Sequence, residues 1–231
     1  MSKLEQHVMV QAAAKAVLAA LGPSFVPGDT ERSIAQRATM MLRERGITQT
    51  WYHDCLALVL LGSRSCLSIS GRDYVPAEEP VGQFNLVTVD LSPMLDGVWG
   101  DCARSFCVED GVWVEEPADA GFRHGLAVER ELHATMRELV RPQTSFGELY
   151  EFANAQIAAY GFENLDFLGN VGHSIETTRD ARRYVERGNA QRLGDAGLFT
   201  FEPHIRAAGS RWGFKHENIY SFNADGRAVE L

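Results

Sequence analysis

A chain of 231 residues, 45% hydrophobic and 23% charged, has the make-up of ordinary globular material and enough length for one large core or two small halves that share one. Its formal charge of -9 argues against a nucleic-acid partner, which needs a basic stripe, and the longest apolar run, CLALVLLG, is far too short to cross a bilayer. The expectations are a peptide or small-molecule ligand, no membrane partner and, with no signal-peptide pattern at the start, a cytoplasmic protein. Four cysteines without C-x-x-C spacing read as buried free thiols of a reduced compartment.

In chain order, apolar residues at helical spacing predict a first helix from about Lys3 to Leu21. A second helix follows, capped by Asp29 or Thr30, with Glu31 in its first turn and Gly46 as its stop. Strand-like runs dominate from Cys55 to about Cys107. Helical patterns return over Ala118 to Leu139 and Phe146 to Tyr160, and strands again from Leu198 to Phe222. Helices and antiparallel strands in blocks predict an α+β architecture. No linker or low-complexity tract interrupts the chain, so one domain over residues 1–231 is the simplest reading.

The chain also repeats itself. PGDTERSIAQRATMMLRERG, ending at Gly46, and PQTSFGELYEFANAQIAAYG, ending at Gly161, have the same length and lie half a chain apart. Thr30 matches Ser145, Ile34 matches Leu149, Ala38 matches Ala153 and Leu42 matches Ile157. Two unrelated helices with similar caps would give such a pattern, as would a duplicated half-domain, roughly 1–115 and 116–231, with a site between the halves.

The segment NLVTVDLSPMLDGVWGDCARSF carries the first chemistry. Asp96-Gly97 is a two-residue hairpin signal; if it forms the loop, Asp101 stands opposite Ser92 and Asp90 lies diagonally on the same face. Val87, Val89 and Leu91 form the apolar face, and Thr88, Asp90 and Ser92 the polar one. Two carboxylates aimed at one point repel unless a proton or cation lies between them, and a divalent metal is the natural filler. A half-exposed sheet whose polar face meets water is the plainer alternative.

A metal would need further ligands, oxygen with an imidazole. His173 in NVGHSIE, Glu202 in LFTFEPH and Glu217 in GFKHENIY supply them. Singly, each also reads as a loop histidine, a strand-end charge or a solvated residue.

As an ordered set, Asp90, Asp101, His173, Glu202 and Glu217 resemble the ligands of the methionine aminopeptidase, aminopeptidase P, prolidase and creatinase superfamily, over nearly the whole chain. The resemblance implies the pita-bread fold, two pseudo-symmetric halves with a curved antiparallel sheet covered by helices. It also implies a homodimer and two divalent ions, Mn, Co, Fe or Zn. Asp90, Asp101 and Glu217 would hold or bridge the ions, His173 would ligate one, and Glu202 would be both ligand and proton carrier between nucleophile and leaving nitrogen.

The sequence departs from that family at two substrate-orienting histidines. Ser70 stands in place of one, ahead of the first metal Asp, and Asp180 in place of the other, seven residues after His173. Both become candidate substrate-binding residues, Asp180 for an amine or guanidinium. His204, two residues beyond Glu202, is the candidate for a replacement acid or donor, and Ser174 is expected to narrow or polarise the pocket wall. The Arg-rich stretches 179–188 and 206–213 read equally as recognition of an acidic substrate or as solvated loops at the pocket mouth. A metal-dependent hydrolase of a peptide or small amide-like C–N bond leads these expectations. A creatinase-like non-peptidase of the same fold and a binding protein without catalysis are the alternatives.

Overall fold

A computed structural model describes residues 2–231. Helix α1 (Lys3–Leu21) opens on a capping box in which the Ser2 hydroxyl accepts from the Glu5 amide, and its buried stripe runs from His7 through Val10, Ala14 and Val17 to Leu21. Helix α2 (Glu31–Arg43) is capped by Thr30, and Gly46 at φ 79° ends the segment. Asp29, the other candidate cap, instead pairs with Arg37 and accepts from the Ser33 hydroxyl.

Seven strands follow: β1 (Gln49–Thr50), β2 (Ala57–Leu61), β3 (Asn85–Leu91), β4 (Pro93–Leu95), β5 (Val98–Trp99), β6 (Cys102–Glu109) and β7 (Val112–Val114). The strand-rich block is therefore interrupted: between β2 and β3 the chain makes a short 3-10 turn at Gly62–Cys66 and then runs irregularly. The order β2-β3-β6-β7 forms an antiparallel sheet, and β4 and β5 close the expected Asp96-Gly97 turn. Both turn residues have positive φ, 51° and 75°, as a type I′ hairpin demands. Leu95 pairs with Val98, and the same register carries Asp90 to Ala103 and Asn85 to Val108.

Two further helices, α3 (Ala120–Leu139) and α4 (Phe146–Ala159), precede β8 (Phe162–Asn164), β9 (Phe199–Phe201), β10 (His204–Ala207), β11 (Gly213–Lys215), β12 (Asn218–Phe222) and β13 (Ala228–Glu230). These pair antiparallel as β11-β10-β8 and β13-β12-β9.

The repeated segments are alike in structure. Thr30 and Ser145 both form capping boxes, Gly46 and Gly161 both sit near φ 79°, and the matched positions Ile34, Ala38, Leu42 and Leu149, Ala153, Ile157 are all fully buried. Each helix pair covers its own core. Val87, Val89 and Leu91 of β3 join the core under α1 and α2; Leu86 and Cys107 of the same hairpin join the one under α3 and α4. The β3–β6 hairpin thus belongs to both cores, and its polar face looks into the space between them. Cys55, Cys66, Cys102 and Cys107 are free thiols, the last two buried.

Candidate metal centre

The polar face of the hairpin lines a cavity of about 570 Å³ together with Trp51, Tyr52, His173, Arg182, Glu202 and Glu217. Asp101 sits in the gap between β5 and β6, where its own strand makes no ladder bonds; α1 takes over that work. The buried Gln11 amide donates to the Asp101 carbonyl at 2.7 Å and accepts from the Asp101 amide at 2.8 Å. With its backbone held from behind, the carboxylate is aimed inward.

Glu217 arrives from the other half. The Ala103 and Glu217 backbones form an isolated antiparallel bridge, and Arg104 donates to the Glu217 carbonyl and to Asn218 Oδ1, both at 2.8 Å. His173 follows Gly172, whose φ of 150° and close approach to the Thr200 carbonyl, 2.3 Å from where a Cβ would lie, leave no room for a side chain. The Thr200 hydroxyl then accepts from the His173 amide at 2.9 Å.

His173 Nδ1 donates to the Ser174 carbonyl at 2.9 Å, which leaves Nε2 to face the cavity. Nε2 lies 3.3 Å from Asp101 Oδ2 and 3.7 Å from Glu202 Oε1. Two carboxylate oxygens turned on one ring nitrogen need a cation or a proton between them. One donor atom each from Asp101, His173 and Glu217 falls within 4.8 Å of the others, all three residues are buried, and Asp101 Oδ2 and both Glu217 carboxylate oxygens have no hydrogen-bond partner. The residues fit a divalent ion, with the His173 tautomer set from outside as metal-ligating histidines require.

The electrostatics agree. Burial, reinforced by Asp90 and Glu202, pushes Asp101 up to about 6 against the lowering pull of His173. Burial and the neighbouring Asp101 and Glu202 charges raise Glu217 well above the usual carboxylate range. Burial also acts to raise Glu202, but Lys215, His173 and Arg182 outweigh it and hold that carboxyl below the usual range.

Lys215, which the sequence reading passed over, reaches into this group of acids. Its ammonium lies 2.6 Å from Asp90 Oδ2, 3.1 Å from Glu202 Oε2 and 3.9 Å from Glu217 Oε2. Burial acts to lower its pKa, yet these carboxylates and Asp166 raise it well above the ordinary lysine value. Period-two alternation in GFKHENIY would have placed Lys215 on the Glu217 side.

Four sequence expectations need correction or refinement. Asp180 does not reach the cavity: the 3-10 turn Arg179–Ala181 carries it into solvent, 86% exposed, beside Arg179 at 3.1 Å. The same turn sends Arg182 inward, where its guanidinium lies 5.0 Å from the Trp51 ring centroid and 5.1 Å from that of Tyr184. His204 does line the cavity, but its Nε2 donates to the Ser65 carbonyl at 2.6 Å, and burial lowers its pKa to about 4. A neutral ring whose one proton is committed to a backbone carbonyl is not placed to serve as an acid. Ser174 is fully buried outside the cavity lining, where it donates to Glu176 and accepts from the Arg183 amide. Ser70 does line the cavity.

A family model for metallopeptidase family M24 matches residues 5–223. The chain belongs to family M24. Methionine aminopeptidase A of Synechocystis sp. is 27% identical to this M24 chain over 216 residues, covering 89% of the chain and 79% of the relative. Among solved structures, a prolidase from Thermococcus sibiricus superposes with a TM-score of 0.79 at 19% identity, and a methionine aminopeptidase from Rickettsia prowazekii with 0.73 at 16%. The match covers 99% of this chain and 58% of the prolidase, and 97% and 94% for the aminopeptidase. At these identities the superpositions show the fold, which is the α+β pita-bread arrangement. The M24 chain thus spans under two thirds of the prolidase but nearly the whole length of the Rickettsia aminopeptidase.

Proposed function

We propose that this M24 chain is a metal-dependent, aminopeptidase-like hydrolase that cleaves a peptide or small amide C–N bond, with Asp101, His173, Glu202 and Glu217 as the residues that hold metal. The observation that carries the reading is His173 Nε2 turned on two carboxylates in a buried cluster with unpartnered oxygens. The chain is read as one catalytic unit of two repeated halves, roughly 1–115 and 116–231, with the site between them.

A divalent ion bound there would acidify water and polarise a scissile carbonyl. Glu202, held ionised by Lys215 and within the cavity, is the group that takes a proton from the nucleophile and returns it to the leaving nitrogen. The Thr200 hydroxyl donates to Glu202 Oε1 at 3.2 Å and fixes its orientation. Trp51 and Tyr52 offer apolar surface for a substrate side chain, and Arg182 offers a cation for an anionic group.

A second reading, a specialised small-amide hydrolase of the same fold, draws support from the cavity wall. Ser70 is a hydroxyl, Asp180 is in solvent and His204 is committed to Ser65, so among the described residues the cavity wall offers no imidazole to orient a peptide beyond the metal-facing His173. Purified protein loaded with Mn2+, Co2+, Fe2+ or Zn2+ and offered a peptide library tests the proposal. Metal-dependent release of N-terminal residues, abolished in Glu202→Gln, supports the first reading. Consumption of a small amide from a metabolite mixture, with peptides untouched, supports the second.

A further inference from the structure

We infer that Lys215 takes the place of one of the two metal ions that the family resemblance implies, so that this chain binds a single divalent ion, at Asp101, His173, Glu202 and Glu217. The inference rests on the reading of the cluster as a metal centre and narrows it.

The acids of the cavity divide into two groups. On the His173 side, Asp101 Oδ2 and both Glu217 oxygens are buried without a hydrogen-bond partner, and their donor atoms converge with the imidazole. On the other side, Asp90 is not part of that convergence; its Oδ2 accepts from the Lys215 ammonium at 2.6 Å. Lys215 also touches Glu202 Oε2 and approaches Glu217 Oε2, so one ammonium contacts three of the four carboxylates that two ions would share. An ammonium has three donors and no lone pair: it satisfies carboxylates but cannot ligate a metal.

The lysine is not an incidental surface charge folded inward. Its residue pairs with His204 in the β10–β11 ladder, and the Ser105 hydroxyl accepts from its amide at 2.8 Å and donates to its carbonyl at 3.1 Å. Both strands therefore hold the stem in register, and the side chain is only 19% exposed. A second divalent ion held by Asp90 would have to displace the ammonium from the carboxylates that neutralise it, or sit beside it against like-charge repulsion. Asp90 is accordingly a partner of Lys215 rather than a metal ligand.

The test counts ions. Protein purified with chelator, saturated with Mn2+ and freed of excess by gel filtration is analysed by elemental mass spectrometry and by electron paramagnetic resonance. The expectation is about one Mn2+ per chain with an uncoupled mononuclear spectrum, about one in Lys215→Arg, and about two with exchange coupling in Lys215→Met. Circular dichroism checks that each variant is folded, and Lys215→Gln replaces the Met variant if that one is not. Two ions in the unaltered protein overturn the inference and leave the metal-centre reading standing. One ion in both the unaltered protein and a folded Lys215→Met or Lys215→Gln overturns the lysine's part in it. No bound Mn2+ in the unaltered protein overturns the metal-centre reading and the inference together.

Discussion

Ala103 and Glu217, distant in sequence, exchange backbone hydrogen bonds at 3.4 and 3.0 Å, and this one bridge brings a carboxylate of the second half beside Asp101 of the first. Arg104 reinforces it by donating to the carbonyls of both bridged residues, at 2.7 and 2.8 Å. Arg104→Met keeps the aliphatic stem and removes those bonds. Metal affinity is expected to fall by about 10–100-fold, with a stability loss of about 1–3 kcal/mol. Titration calorimetry with Mn2+ and a urea melt of the chelated protein measure the two; an unchanged affinity would show that the bridge positions Glu217 without help.

Gly172 makes a separate prediction. A methyl group there would meet the Thr200 carbonyl at 2.3 Å in a backbone conformation that favours glycine. Gly172→Ala is expected to cost about 2–4 kcal/mol and to displace His173, lowering metal affinity as well. Thermal melts with and without metal separate the effects. A variant as stable as the parent would mean that the loop relaxes freely.

How far the sequence reaches can be seen residue by residue. The hairpin register was legible because Asp96-Gly97 admits few turn geometries, and every residue of β3 obeys it against β6. Capped helices with matching buried positions were legible for the same local reason. Asp180 and Arg182 were not: counting seven residues from His173 presumes a loop path, and a single 3-10 turn exchanged which of them faces the cavity. Gln11, which clamps Asp101 from α1, carried no local signal, because its role exists only after two distant elements pack.

The raised acids predict how pH acts on the metal-free chain. Asp101, pushed up to about 6 by burial, and Glu217, raised well above the usual carboxylate range, bind protons more tightly when folded than when unfolded. The stability they contribute is complete below the ordinary carboxylate pKa of about 4 and is lost as pH rises through about 6 and beyond. The melting temperature of chelated protein should therefore fall between about pH 5 and pH 7.5. Mn2+, which displaces those protons, should restore it by an amount that grows with pH, about 2.7 kcal/mol at one hundred times the dissociation constant. Asp101→Asn should flatten the fall near pH 6 and abolish the Mn2+ effect. Melting scans at five pH values, with chelator or with Mn2+, decide it; a metal increment that shrinks as pH rises would contradict the assignment.

Arg182 predicts substrate preference. Its guanidinium is stacked among Trp51, Tyr52 and Tyr184, its Nε donates to the Arg179 carbonyl at 3.0 Å, and no carboxylate forms an ion pair with it among the described residues. A cation on the cavity wall, rigidly packed yet unpaired, selects an anionic group on the substrate. Short substrates with a free carboxylate near the scissile bond should be preferred over their amidated counterparts. Arg182→Met, which keeps apolar contact with the rings, should raise KM for the carboxylate form by about tenfold or more while leaving kcat within about threefold. Steady-state kinetics on a matched pair of acid and amide substrates gives both numbers. Equal losses for the two substrates would instead mean that Arg182 shapes the aromatic wall, and the unpaired guanidinium would have no part in choosing what enters.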